Sequence, residues 1–272
     1  MGADVPQTEP LGPAREIVFR GGGFVLAPRP AAAFLAFVVV IGGWQVASTV
    51  GLISPIFLPS PASVVTALYD LAASGVLWVH VGVSLRRILV GWTVGTACGL
   101  GAGLAIGIWS LSRAIGVPLV SALFPIPKIA LLPLLILWLG IGEASKITTI
   151  ALGVFFPTVI ATFSAVDAVP RNLIRMAQSF NVPAVAILRK IVLPGALPGI
   201  LSGFRITASI ALILLVSAEM IGAEHGIGAF ILQAGNLMQT DQLLAGVVIL
   251  SLLGLVIGTA LSRLEKWLLR WR

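Results

Sequence analysis

Charge is scarce in this chain. Only 10% of its 272 residues are Asp, Glu, Lys or Arg, against 58% hydrophobic residues, and the mean hydropathy is +1.08. A soluble domain needs more polar surface than that, so the composition is that of an integral membrane protein in contact with a lipid bilayer. Cysteine is rarer still. Cys98 stands alone inside an apolar run, which excludes an intramolecular disulfide and a thiolate metal site. Histidine occurs twice, as His80 and His225, both read as surface residues rather than ligands. No paired-carboxylate, His-cluster or Ser-His-Asp pattern falls at usable spacing, and there is no Gly-x4-Gly-Lys-Ser/Thr phosphate loop. The expectation is a protein that is not an enzyme, with no catalytic, metal or cofactor site of its own. If ATP drives it, another chain hydrolyses the ATP. The formal net charge of +7 would suggest nucleic acid in a soluble protein, but here the basic residues cluster at the ends of apolar spans. The excess reports topology, and no nucleic-acid partner is expected.

What is present is a succession of long apolar runs. Residues 1–30 carry Arg15, Arg20 and Arg29 among five prolines and read as a flexible cytoplasmic tail, not a cleaved signal peptide. The remainder, 31–272, reads as one transmembrane domain with its core at about 80–265. Ala31–Val50 is uncharged and long enough to span as helix 1. In 51–80, Leu58-Pro59-Ser60-Pro61 forms a rigid turn, and Val64, Leu68 and Leu71 mark a short amphipathic helix on the outer surface. Helix 2 lies between Arg87 and Arg113, with Gly91, Gly95, Gly99, Gly103 and Gly107 forming a small-residue face for close helix packing. Arg86 and Arg87 are expected to snorkel from its outer end. The span 114–142 is broken by Pro125, Pro127 and Pro133 beside Lys128. That lysine is either a contact on the solute pathway or a side chain snorkelling to headgroups. Helix 4 runs from about Ile147 to Val166, helix 5 from about Gly199 to Gly222, and helix 6 from Gln242 to Ser262. Glu219, near the end of helix 5, could line a gate, contact a binding protein or simply sit at the wet interface.

Between helices 4 and 5 lies the stretch that carries the strongest signal, Arg171–Gly199. Leu173, Ala177 and Phe180 share a helical face beside Ile174, while Arg171, Arg175 and Gln178 fall elsewhere. Asn181 suits a left-handed C-cap, and Pro183 suits the first turn of a second helix carrying Val185, Leu188 and Val192. Pro194 and Pro198 should interrupt that helix. Each piece is about ten residues, or roughly 15 Å, too short to cross a bilayer.

The run Leu173-Ile174-Arg175-Met176-Ala177-Gln178-Ser179-Phe180-Asn181-Val182, followed by Ile191-Val192-Leu193-Pro194, resembles the EAA loop of ABC-importer permeases. That loop serves the family as a coupling helix in a cleft of the ATPase. Two positions depart from the pattern: Arg175 stands where Glu is usual, and Asn181 where Gly is usual. Pro125 to Leu134, Trp138-Leu139-Gly140-Ile141-Gly142 and the Pro-Ser-Pro turn resemble the nitrate, sulfonate, taurine and bicarbonate branch of the family. The resemblance implies an all-α fold of six transmembrane helices, a type I importer permease with a cytoplasmic coupling helix between helices 4 and 5. It also implies a homodimer, two ABC ATPase subunits that bind ATP and Mg, and an extracytoplasmic binding protein that delivers a small, often anionic solute. An ion-coupled secondary transporter or channel is the alternative, and it would place coupling carboxylates within the spans.

Six spans put both termini on one side. That side then collects Arg113, Arg171, Arg175, Arg189, Lys190 and the basic residues of both tails, against Arg86, Arg87 and Lys146 opposite, with Lys128 and Arg205 unassigned. The bias places the loop and both termini in the cytoplasm, with the chain in the inner membrane.

Overall fold

The computed structural model describes residues 30–271 and is all-helical. The expectation for residues 1–29 lies outside the described residues. In chain order the elements are α1 (Pro30–Thr49), α2 (Pro61–Ala73), α3 (Val76–Ile108), α4 (Ser110–Leu123), α5 (Leu132–Leu139), α6 (Glu143–Asp167), α7 (Arg171–Ser179), α8 (Ala184–Ile187), α9 (Leu193–Met220), α10 (Ile227–Asn236) and α11 (Thr240–Leu268). Among the described residues, four stretches are long and apolar enough to cross a membrane: α3, α6, Ala184–Met220 and α11. A fifth span follows if α4 and the Lys128–Leu139 segment, bent at 84°, count as one. The remaining apolar helix, Phe34–Thr49, is shorter.

α3, α6 and α9 form the centre, with Ile88, Ile150, Val154, Ala211 and Leu215 packed between them. The glycine face of α3 is what lets α6 approach. A Cβ on Gly95 would stand 2.4 Å from the Ala151 carbonyl oxygen, and one on Gly103 would stand 2.6 Å from Thr162 Cβ. Trp92 adds a polar tie across the same bundle, donating from its indole nitrogen to Thr207 Oγ1 at 3.1 Å. Around this centre α10 packs on α11 and α9, α11 also packs on α2, and α1 meets the rest chiefly at α2. Apolar side chains such as Phe34, Phe37, Leu255 and Val256 stay outside, as lipid-facing residues do.

Two boundaries differ from those read in the sequence. Helix 2 does not begin at Arg87: α3 starts at Val76, so Arg87 is interior to a 33-residue helix of about 50 Å. Nor do Pro194 and Pro198 end the second short helix. α8 runs through a π-turn, Leu188–Val192, into α9, and the whole stretch Ala184–Met220 counts as one 37-residue candidate span. The amide of Leu193 bonds the Leu188 carbonyl, five residues back. This widened turn makes room for the Pro194 ring, which an ordinary helical turn would press against the carbonyl four residues earlier.

Candidate functional site

α7 lies across one end of the bundle. Its inner face is Ile174 and Ala177, packed with Val166, Val169, Ile187, Val192 and Ala196 from α6, α8, α9 and their connections. The outer face carries Leu173, Met176 and Phe180, exposed by 41%, 55% and 75%. The apolar residues therefore fall on two faces. Ala177, expected to share a face with Phe180, is 7% exposed and belongs to the core. Arg171, Arg175, Gln178 and Ser179 rim the outer surface, all exposed. Asn181 does end the helix in the left-handed conformation, at φ 55. The Asn181 amide donates to the Gln178 carbonyl at 2.9 Å and the Val182 amide to the Ala177 carbonyl at 3.1 Å. That pair of bonds, with Val182 packed into the same apolar cluster as Ala177, is a Schellman motif that fixes the end of α7. Behind the helix a cavity of about 350 Å³ opens among Ile174, Gln178, Leu188 and the Arg113–Asp167 ion pair, which ties α4 to α6.

Lys128 occupies the bend between α4 and α5. Its ammonium donates to the carbonyls of Leu123 at 2.7 Å, Phe124 at 3.2 Å and Ile126 at 2.7 Å, and lies 4.6 Å from the centre of the Phe156 ring. An ammonium has three N–H donors, so all are spent on carbonyls at the break, of which Leu123 also accepts the Ile126 amide at 3.3 Å. As placed, Lys128 holds the bend together.

At the opposite end of the bundle Glu219 is not at a wet interface but 1% exposed. Its carboxylate accepts from Ser84 Oγ at 2.7 and 2.9 Å, from Arg87 Nη1 at 2.9 Å and from the Gly228 amide at 2.8 Å. The Gly228 amide lies in the first turn of α10, where the helix dipole favours a negative charge. Arg87 is likewise not snorkelling: it is 3% exposed. Besides Glu219 it binds Glu143 through Nε at 2.9 Å and Nη2 at 2.5 Å, and the His225 carbonyl at 2.6 Å. Ser84 Oγ also accepts the Ile227 amide at 2.8 Å, and His80 Nδ1 lies 3.0 Å from both the amide and the carbonyl of Gly226. His80, expected at the surface, is thus partly buried in this network. Lys146 is 3% exposed beside it, bonded to the Gly142 carbonyl at 3.1 Å.

Glycine is required where the α9–α10 connection meets Glu219. Gly226 has φ 136, and a Cβ there would stand 2.4 Å from the carboxylate carbon. The sequence reading singled out Glu219 and missed its partners. His80, Ser84 and Arg87 recur at steps of four and three, so they line one face of α3, and a buried carboxylate calls for such a face. The structure brings Glu219 to them and keeps Lys128 and α7 apart from both.

Residues 95–272 match the family described as binding-protein-dependent transport system inner membrane component. Among curated proteins, SsuC of Escherichia coli (strain K12), assigned to aliphatic sulfonate transport, is 38% identical over 85% of this chain and 88% of its own length. TauC of the same strain, a taurine transport system permease protein, is 35% identical over 86% of each chain. Among solved structures, an inward-facing MetNI methionine ABC transporter aligns with a TM-score of 0.60 at 24% identity, covering 70% of this chain and 94% of that one.

Proposed function

The chain belongs to the family of binding-protein-dependent transport system inner membrane components, as a multi-pass ABC-importer permease close to the sulfonate and taurine transporters, and we propose that α7 is its coupling helix. In this reading two copies of the chain, with six spans each, form the pathway for a small anionic solute of the sulfonate kind. An extracytoplasmic binding protein delivers the solute. Two ATPase subunits, which bind ATP and Mg, seat on α7 from the cytoplasm.

One observation carries the reading. α7 presents Leu173, Met176 and Phe180 outward while Ile174 and Ala177 anchor it to the ends of α6 and α9. An apolar face on a capped, anchored helix is a surface for a partner's cleft, and force applied there passes into the two central helices. The ion-coupled alternative loses its carboxylates: Glu219 is bound by Ser84, Arg87 and Gly228, and Asp167 pairs with Arg113.

The test is to purify the chain from its native host and assay solute uptake. A stoichiometric ATPase should accompany it, and Phe180→Asp should cut uptake at least tenfold with membrane insertion unchanged. Ala177→Asp is the poorer probe, because it places a charge in the core. Uptake at the wild-type rate in Phe180→Asp, or transport by the chain without an ATPase, overturns the reading.

A further inference from the structure

We propose that Arg87 is a positioning residue for transport: it clasps the Gly222–Gly226 connection and the start of α10 to α3, so that movement of α9 is delivered to that end of the bundle. The inference rests on the coupling role proposed for α7.

Three features of the geometry carry it. Arg87 binds groups from three different places, Glu143 at the start of α6, Glu219 near the end of α9 and the His225 carbonyl in the connection. Its neighbours on the same face of α3 act on the same segment: Ser84 takes the Ile227 amide and both Glu219 oxygens, and His80 meets Gly226. α10 rests mainly on α11 and α9, and its Ile227 and Ile231 share an apolar cluster with Leu77, Val81 and Leu85 of α3. The polar groups add directional bonds at the connection and the first turn of α10, where backbone amides and carbonyls are held. The connection begins and ends on glycines with positive φ, Gly222 at 75 and Gly226 at 136, so its path is a defined turn, and between them the His225 ring stands edge-on to His80 at 5.9 Å.

α9 joins the two sites. It starts beside the α7 cluster, where Val192, Ala196 and Ile200 pack, and Glu219 is the last residue but one of its 28, about 40 Å along the helix. A displacement received at α7 thus has a continuous rod to the clasp. Glu219 is itself bonded to the Gly228 amide, so α10 follows α9, and Arg87 is what carries the same movement to α3 and to Glu143 of α6.

The experiment uses the intact complex with its ATPase, reconstituted in liposomes, comparing wild type with Arg87→Met, Arg87→Lys and Ser84→Ala. Solute imported, ATP hydrolysed and hydrogen exchange of the 222–230 amides are read together. Arg87→Met should keep at least half of the ATP hydrolysis yet import at least tenfold less solute per ATP, with exchange at 222–230 faster by tenfold or more and exchange at 171–182 unchanged. Arg87→Lys should restore part of the import. Ser84→Ala, which removes only a hydroxyl, should lower import per ATP about threefold and keeps the test open if Arg87→Met does not assemble. Wild-type import per ATP in Arg87→Met, or in Ser84→Ala where Arg87→Met fails to assemble, overturns the clasp, as does a proportional loss of hydrolysis and import. A wild-type complex lacking an ATPase sinks the coupling role instead.

Discussion

At the scale of single residues, the glycines of α3 separate two opposed effects of adding a methyl group. Gly to Ala inside a helix gains about 1 kcal/mol of propensity. Gly101 faces open space, with nothing within 4 Å of a Cβ, so Gly101→Ala should raise the melting temperature in detergent slightly or leave it alone. At Gly95 the same methyl would lie 2.4 Å from the Ala151 carbonyl oxygen and 2.9 Å from its Cα. Backbone cannot swing aside as a side-chain tip can, so α3 and α6 must part, at a cost of about 1–3 kcal/mol or more. The clash outweighs the propensity gain, and Gly95→Ala should melt lower than wild type. Equal melting of the two variants would mean that the seam is looser than the structure has it. Glu219 and Arg87 follow a different rule. The two form a buried pair, and removing Arg87 leaves Glu219 without its ion-pair partner, a loss that typically costs about 3–5 kcal/mol, whereas removing Glu219 leaves Arg87 still paired with Glu143.

Among the elements, α7 shows what short-range rules capture. Its end is decided by Asn181 at φ 55, a conformation that Asn tolerates and a β-branched residue does not. Asn181→Gly should therefore be neutral or mildly stabilising. Asn181→Val should cost about 1–2 kcal/mol and speed exchange of the Asn181 and Val182 amides, which make the two closing bonds. Wild-type protection in Asn181→Val would contradict the capping account. That turn was legible because it depends on one residue, and the glycine seam was legible because it repeats every fourth residue. Periodicity cannot say which side of a nine-residue helix with apolar residues on two faces meets the core, which is why it groups Ala177 with Phe180. The break expected at Pro194 failed for a related reason. Proline forbids an ordinary helical turn, but a π-turn before it satisfies the same constraint. The clasp lay further out of reach, since Arg87 and Glu219 stand 132 positions apart and only the packing of α3 against α9 brings them within bonding distance.

For the molecule as a whole, the two ends differ in what their cations do. At the α7 end Arg171, Arg175, Arg189 and Lys190 are exposed. The C-terminal residues Leu268 and Trp271 line a groove with Leu193 and Pro194, which brings the exposed Arg263, Lys266 and Arg270 to the same end. At the other end Arg87 is held by two carboxylates and Lys146 is buried, leaving Arg86 as an exposed cation there. Free Lys and Arg are retained on the cytoplasmic side of a membrane, and a cation already neutralised inside the protein adds little to that bias. Structural placement thus sharpens the asymmetry on which the proposed orientation rests. A membrane-impermeant maleimide can read it directly. In a Cys98→Ser background, Glu224→Cys puts a thiol on an exposed position at the clasp end, and Arg270→Cys puts one at the α7 end. Intact cells should label the first and spare the second, and permeabilised cells should label both. Labelling of Arg270→Cys in intact cells, with Glu224→Cys protected, would turn α7 away from ATP and remove the premise that an ATPase drives it.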